Sequence, residues 1–148
     1  MSIKQPVVPE WTYWHSILSS PYESMRVEHE IANGYYLYSA FVETPRGKYL
    51  ANGVLNKEKM ITGPIFTPYF RLVDGKRNLA IFDLYISSLN KTVLMNFTNG
   101  KILTEGFAAY RYKDGQFCYR IDSKDNGMKW YSFDIDTHDA AFIGASLN

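Results

Sequence analysis

The sequence predicts a mainly β protein: an antiparallel meander of about eight or nine strands, curled into a barrel or half-barrel, with little helix. Turn-forming pairs recur along the whole chain. Asn33-Gly34, Asn99-Gly100, Asp114-Gly115 and Asn126-Gly127 accept positive φ and match the twist of paired strands. Between them, apolar and polar residues alternate with a period of two, the repeat of a half-buried strand. Aromatic residues reach 16% of the chain, and Tyr and Phe favour pleated, half-buried surfaces over helices.

The strands follow in order. Over residues 25–31, Met25, Val27, His29 and Ile31 share one face while Arg26, Glu28 and Glu30 take the other. A helix would mix the two sets, so this run reads as a strand with a solvated face. Asn33-Gly34 turns it into a second strand over 35–44, and Pro45-Arg46-Gly47 leads to a third over 48–55. Further strands are expected over 65–73, 79–87 and 92–98, with turns at Asp74-Gly75-Lys76 and, more weakly, Leu89-Asn90-Lys91. A long strand over 102–112 and two more over 116–121 and 128–135 complete the series. Residues 11–19 are the best helical candidate, weakened by His15, Ser16 and several β-prone residues.

A flat sheet of this size would leave two unpaired edges and one bare apolar face, and curling removes both faults. With 148 residues, no repeat and no linker, the chain reads as one barrel-like domain over 1–148. A formal charge of +1 with scattered Lys and Arg lacks the concentrated basic face that nucleic acid requires. Basic and aromatic residues do mix at Ala109-Tyr110-Arg111-Tyr112-Lys113, without the spacing of an RNA-binding strand. Cys118 is the sole cysteine, so no internal disulfide forms, and a half-buried thiol is its default role. Neither a signal peptide nor a membrane span is legible, which points to the cytoplasm. His15, His29 and His138 lack metal-ligand spacing, and no phosphate loop or nucleophile elbow occurs, so neither metal nor cofactor is expected.

Chemistry would then reside in polar residues on otherwise apolar faces. Glu105 shares a face with Leu103 and Phe107, with Arg111 following; Asp134 shares one with Trp130. Asp83 lies between Ile81 and Tyr85, but Ala80, Phe82, Leu84 and Ile86 form the better core face, so Asp83 is expected to point outward. A carboxylate lining a cavity would gain a raised pKa and could move protons; on an exterior face it would only aid solubility.

Several short motifs resemble the violacein-biosynthesis enzyme family of the VioE type. Trp11 precedes Ser20-Pro21 by eight intervening residues; Gly34-Tyr35, Gly53-Val54-Leu55-Asn56 and Thr62-Gly63 follow in similar order. Asp114-Gly115, Tyr119-Arg120 and Tyr131-Ser132-Phe133-Asp134 echo the family loosely near the end. The resemblance implies a curved antiparallel sheet like the lipoprotein carriers, a homodimer, and cofactor-free rearrangement of a reactive tryptophan-derived imine dimer. It implies that Asn56 is a pocket asparagine, that Leu55 stands where an aromatic would, and that His15 replaces a pocket tyrosine and Ile17 a serine. The family's glutamate after Thr-Gly has no counterpart in Pro64-Ile65-Phe66-Thr67-Pro68-Tyr69-Phe70, and its late arginine none near Phe142-Ile143.

Two functions are expected from these readings. One is a cofactor-free enzyme of secondary metabolism that rearranges or cyclises an aromatic or indole-derived molecule, supplied by an upstream biosynthetic enzyme. There Asn56 would orient a polar group, His15 or Glu105 would move a proton, and Tyr13, Trp14, Tyr35, Leu55 and Phe66 would line the substrate pocket. The alternative is a calycin-like carrier that binds a lipid, pigment or tetrapyrrole unchanged, favoured by the missing glutamate and arginine.

Overall fold

The structure is a computed structural model that describes residues 23–86 and 89–147. Among these residues there are eleven strands and no helix. They are β1 (Glu23–Ala32), β2 (Tyr35–Thr44), β3 (Gly47–Leu55), β4 (Phe66–Asp74), β5 (Leu79–Ile86) and β6 (Leu89–Asn96). Then come β7 (Lys101–Glu105), β8 (Ala109–Lys113), β9 (Gln116–Ser123), β10 (Gly127–Asp134) and β11 (Ala140–Gly144). The expected antiparallel meander is present, but it is divided. β1 to β7 pair in chain order as a seven-stranded sheet, and β11-β10-β9-β8 form a separate four-stranded sheet.

The division falls where the sequence reading placed a single strand over 102–112. Gly106 adopts φ +77°, a left-handed conformation in which a ladder cannot continue, and the chain leaves the large sheet there. β11 was not anticipated, and the turn expected at residues 89–91 lies inside β6. The helical candidate over 11–19 lies outside the described residues. Where turn chemistry was strongest the expectation holds: Asn33 and Gly34 have φ of 56° and 82°, Asp114 and Gly115 of 48° and 89°, the signature of tight hairpins.

The large sheet is strongly bent. Tyr35 on β2 and Phe97 beyond β6 stand four strands apart, about 19 Å in a flat sheet, yet their ring centroids are 5.7 Å apart. At the same end, Asn33 donates from Nδ2 to Gly75 O and to Asn78 Oδ1, each at 2.8 Å, tying the β1–β2 turn to the β4–β5 turn. No ladder joins β1 to β7 among the described residues, so the sheet keeps open edges.

Its concave side is filled by its own side chains. Leu37, Val54, Phe66, Phe82, Val93, Met95 and Phe97 pack as one buried cluster, with Phe66 and Phe82 stacked at 4.8 Å. The convex side carries two further clusters. Met25, Tyr38, Ala40 and Leu55 pack together behind β1 to β3. Behind β5 and β6, Leu79, Ile81 and Leu94 pack against Phe107, Phe117 and Ile135, so the small sheet is a second layer over the convex face.

The two layers are also pinned by polar groups. Arg77 donates to Asp74 Oδ2 at 2.8 Å and, in a bidentate pair, to Asp136 at 2.9 and 3.0 Å. Tyr112 on β8 donates its hydroxyl to Asp74 through a short hydrogen bond and accepts one from Gly115 N at 3.0 Å.

Candidate binding cleft

The parity rule that places Ala80, Phe82 and Leu84 in the core turns Asp83 to the convex face, as the alternation predicted. That face is not bare, however, because the small sheet approaches it. β4 contributes Arg71, β5 contributes Asp83 and β6 contributes Thr92, while the Gly106 break delivers Phe107 and then Tyr110 on β8. Together they line a depression of about 240 Å³ between the layers. Thr92 donates its hydroxyl to Asp83 Oδ1 at 3.0 Å and so fixes the carboxylate from one side.

Arg71 crosses from β4 to the small sheet. Its guanidinium donates to the Tyr110 hydroxyl at 3.1 Å and lies 5.9 Å from that ring's centroid. The bond to Tyr110, with the nearby charge of Asp83 contributing less, raises the Arg71 pKa above its ordinary value. Tyr110 in turn stacks on Phe117 at 5.5 Å, which holds its ring against the aromatic cluster.

On the far side of the Arg71–Tyr110 pair runs a second depression of about 520 Å³ along the β8 edge. The period of two on β8 and β9 sets its chemistry. Tyr112 and Phe117 face the core, while Arg111, Lys113, Gln116 and Cys118 share the opposite face through the pairings Arg111↔Cys118 and Lys113↔Gln116. Arg71, Arg111 and Lys113 therefore bring three cations to one groove, and no carboxylate lines it. Such a surface attracts anions.

No protein-family model, curated protein or solved structure matches the chain. The resemblance to the VioE-type family thus rests on the quoted motifs, and the structure gives those motifs a local physical role. A Cβ on Gly53 would meet Gly63 O at 2.5 Å and the Tyr38 hydroxyl at 2.6 Å, so only glycine fits. Tyr38 donates to Thr62 O at 2.7 Å, and Thr62 Oγ1 accepts from Val54 N at 3.0 Å. Gly53-Val54-Leu55-Asn56 and Thr62-Gly63 form a clasp that closes the segment after β3.

The site residues singled out from sequence do not converge. Tyr13, Trp14 and His15 lie outside the described residues. Asn56 uses Oδ1 to accept from Glu58 N and Lys59 N, both at 2.8 Å, and so caps its own turn. Leu55 and Phe66 are fully buried on opposite faces of the large sheet. Tyr35 packs edge-on against Phe97 at the closed end of the concavity. Glu105, half exposed, sits 3.6 Å from Lys91. None of these described residues lines either depression. Asp134 accepts from Asp136 N and Thr137 N and shapes the β10–β11 turn.

Sequence reasoning passed over Arg71, Tyr110 and Lys113. The mixed basic and aromatic run at residues 109–113 was the available signal, and its alternation is what separates the cations from the tyrosines. One more buried polar group stands out in the concavity: Asn52, 3% exposed beside Ser39, makes no side-chain hydrogen bond among the described residues. No group of three His, Cys, Asp or Glu residues suited to a metal occurs among them.

Proposed function

We propose that the protein binds a small, flat, anionic organic molecule where the cleft between its two sheets opens onto the groove along the β8 edge, and holds it there as a carrier-type binding protein. The large sheet acts as a half-barrel whose convex wall, capped by the small sheet, forms the floor of the cleft. The single observation that carries this reading is the groove along the β8 edge, where Arg71, Arg111 and Lys113 stand together with no carboxylate among the lining residues. An acid group would gain charge-assisted hydrogen bonds from guanidinium donors, and a planar body would fit beside the aromatic wall of Phe107 and Tyr110. Holding is favoured over rearrangement because Asn56 is committed to its own turn and Glu105 lies against Lys91.

The test uses 4-methylbenzoate as a minimal flat acid. Titrated into the protein, it is expected to shift the backbone amide resonances of Tyr110, Arg111 and Thr92, to bind more weakly as salt rises, and to be recovered unchanged. Arg71→Gln together with Arg111→Gln should weaken binding about tenfold or more. Shifts centred on Ser39 and Asn52 instead, with no effect of the double variant, would move the site to the concave face. Recovery of a new product would replace the carrier with an enzyme that works by positioning.

A further inference from the structure

Asp83 and Arg71 line the same small depression, yet no ion pair within 4.0 Å joins them. Arg71 instead donates to the Tyr110 hydroxyl, and Asp83 takes a hydrogen bond from the Thr92 hydroxyl. Its second carboxylate oxygen accepts no hydrogen bond from any described residue. Elsewhere in the same protein opposite charges do pair: Arg77 binds both Asp74 and Asp136, and Arg120 binds Asp122 at 2.8 Å. At the cleft, a carboxylate and a guanidinium thus each bind a hydroxyl rather than one another, beside an aromatic wall. An arrangement of this kind leaves both charges available to a third party carrying the complementary pair.

The depression sets a scale for that third party. A cavity of about 150 Å³ holds benzene, so the open depression of about 240 Å³ has room for one six-membered ring with a short substituent. The larger groove beyond Arg71 takes the acid end, where Arg111 and Lys113 add to its charge. We propose that the ligand is dipolar, a single aromatic ring with an acid at one end and an ammonium or hydroxyl donor at the other, and that Asp83 is the residue that selects the donor. This rests on the cleft being the binding site, and it narrows the ligand from flat acids in general to single-ring amino or hydroxy acids.

A matched set of probes tests it: 4-(aminomethyl)benzoate carries both ends, 4-methylbenzoate lacks the donor, and benzylamine lacks the acid. In amide chemical-shift titrations, 4-(aminomethyl)benzoate should bind about tenfold or more tightly than either partial analogue. Asp83→Asn, which keeps the side-chain shape and the oxygen that accepts from Thr92, should erase that preference while changing 4-methylbenzoate affinity by less than about twofold. Equal binding of the two acids, or an undiminished preference in Asp83→Asn, overturns the dipolar ligand and leaves the anion cleft intact. If no acid binds and Arg71→Gln changes nothing for any probe, the cleft reading itself fails. Amide shifts away from the cleft that stay unchanged in Asp83→Asn show that a lost preference is not general unfolding.

Discussion

At the scale of single residues, several side chains with the chemistry of a site are occupied in building the backbone. Asn56 is a good hydrogen-bonding group in an interesting motif, but both of its bonds go to amides two and three positions ahead, the habit of Asn in a turn. Gly53 is more demanding still, since Gly63 O and Tyr38 occupy the place a Cβ would take. Gly53→Ala should therefore cost about 1–3 kcal/mol of stability through overpacking, read as a lowered urea midpoint with an unchanged slope. Asn56→Ala should cost about 1 kcal/mol, and Asn56→Asp, which preserves the acceptor, should recover most of it. A wild-type midpoint in Gly53→Ala would mean that the segment after β3 yields freely.

At the scale of elements, the decisive contacts are those that join the two sheets. Burial pushes the Asp74 carboxyl upward, but it is outweighed by bonds from Tyr112, the Arg77 guanidinium and two backbone amides, which hold its pKa at about 2. Hydrogen bonds from Arg77 lower Asp136 as well. Burial, followed by the bond to Asp74, raises Tyr112, so its hydroxyl stays protonated and keeps donating at neutral pH. A carboxyl depressed on folding adds stability above its unfolded value, near 3.9, and that contribution disappears as pH falls towards the folded value. Urea stability should accordingly decline between about pH 4 and about pH 2. Asp74→Asn should flatten that decline and lower stability at neutral pH; the same slope in wild type and variant would assign it to other carboxylates.

At the scale of the whole molecule, β5 and β6 are shared property. Their Ala80, Phe82, Val93 and Met95 fill the concave core, and their Leu79, Ile81 and Leu94 support the small sheet. The layers cannot unfold independently if the central strands serve both. Phe82→Ala, which empties a fully buried position between Phe66 and Phe70, should cost about 3–5 kcal/mol. Hydrogen exchange should then show β9 and β10 losing protection together with β4 and β5. Two separate transitions, with the small sheet unaffected, would show that the layers are independent units.

The alternation of residue types by itself determined most of the strands, the tightest hairpins and the inward face of β5, because a period of two and a positive-φ turn are local properties of the chain. In β1, where register shifts interrupt the alternation, Met25 and Val27 pack on the opposite side from Ile31. It placed Phe82 inside and Asp83 outside for a reason that needs no partner. It did not reveal that the strand expected over 102–112 breaks at Gly106, since nothing in the pattern of apolar residues marks a change of sheet. Only the tertiary structure decided what covers the outer face, and that contact turns Asp83 from a solvent-facing charge into the wall of a cleft. It likewise filled the concavity that the strand count left open, because bending brings Tyr35 within reach of Phe97, and their side chains occupy the space between. A cleft made by one layer resting on another depends on contacts distant in sequence, such as Arg71 with Tyr110, and no local pattern records them.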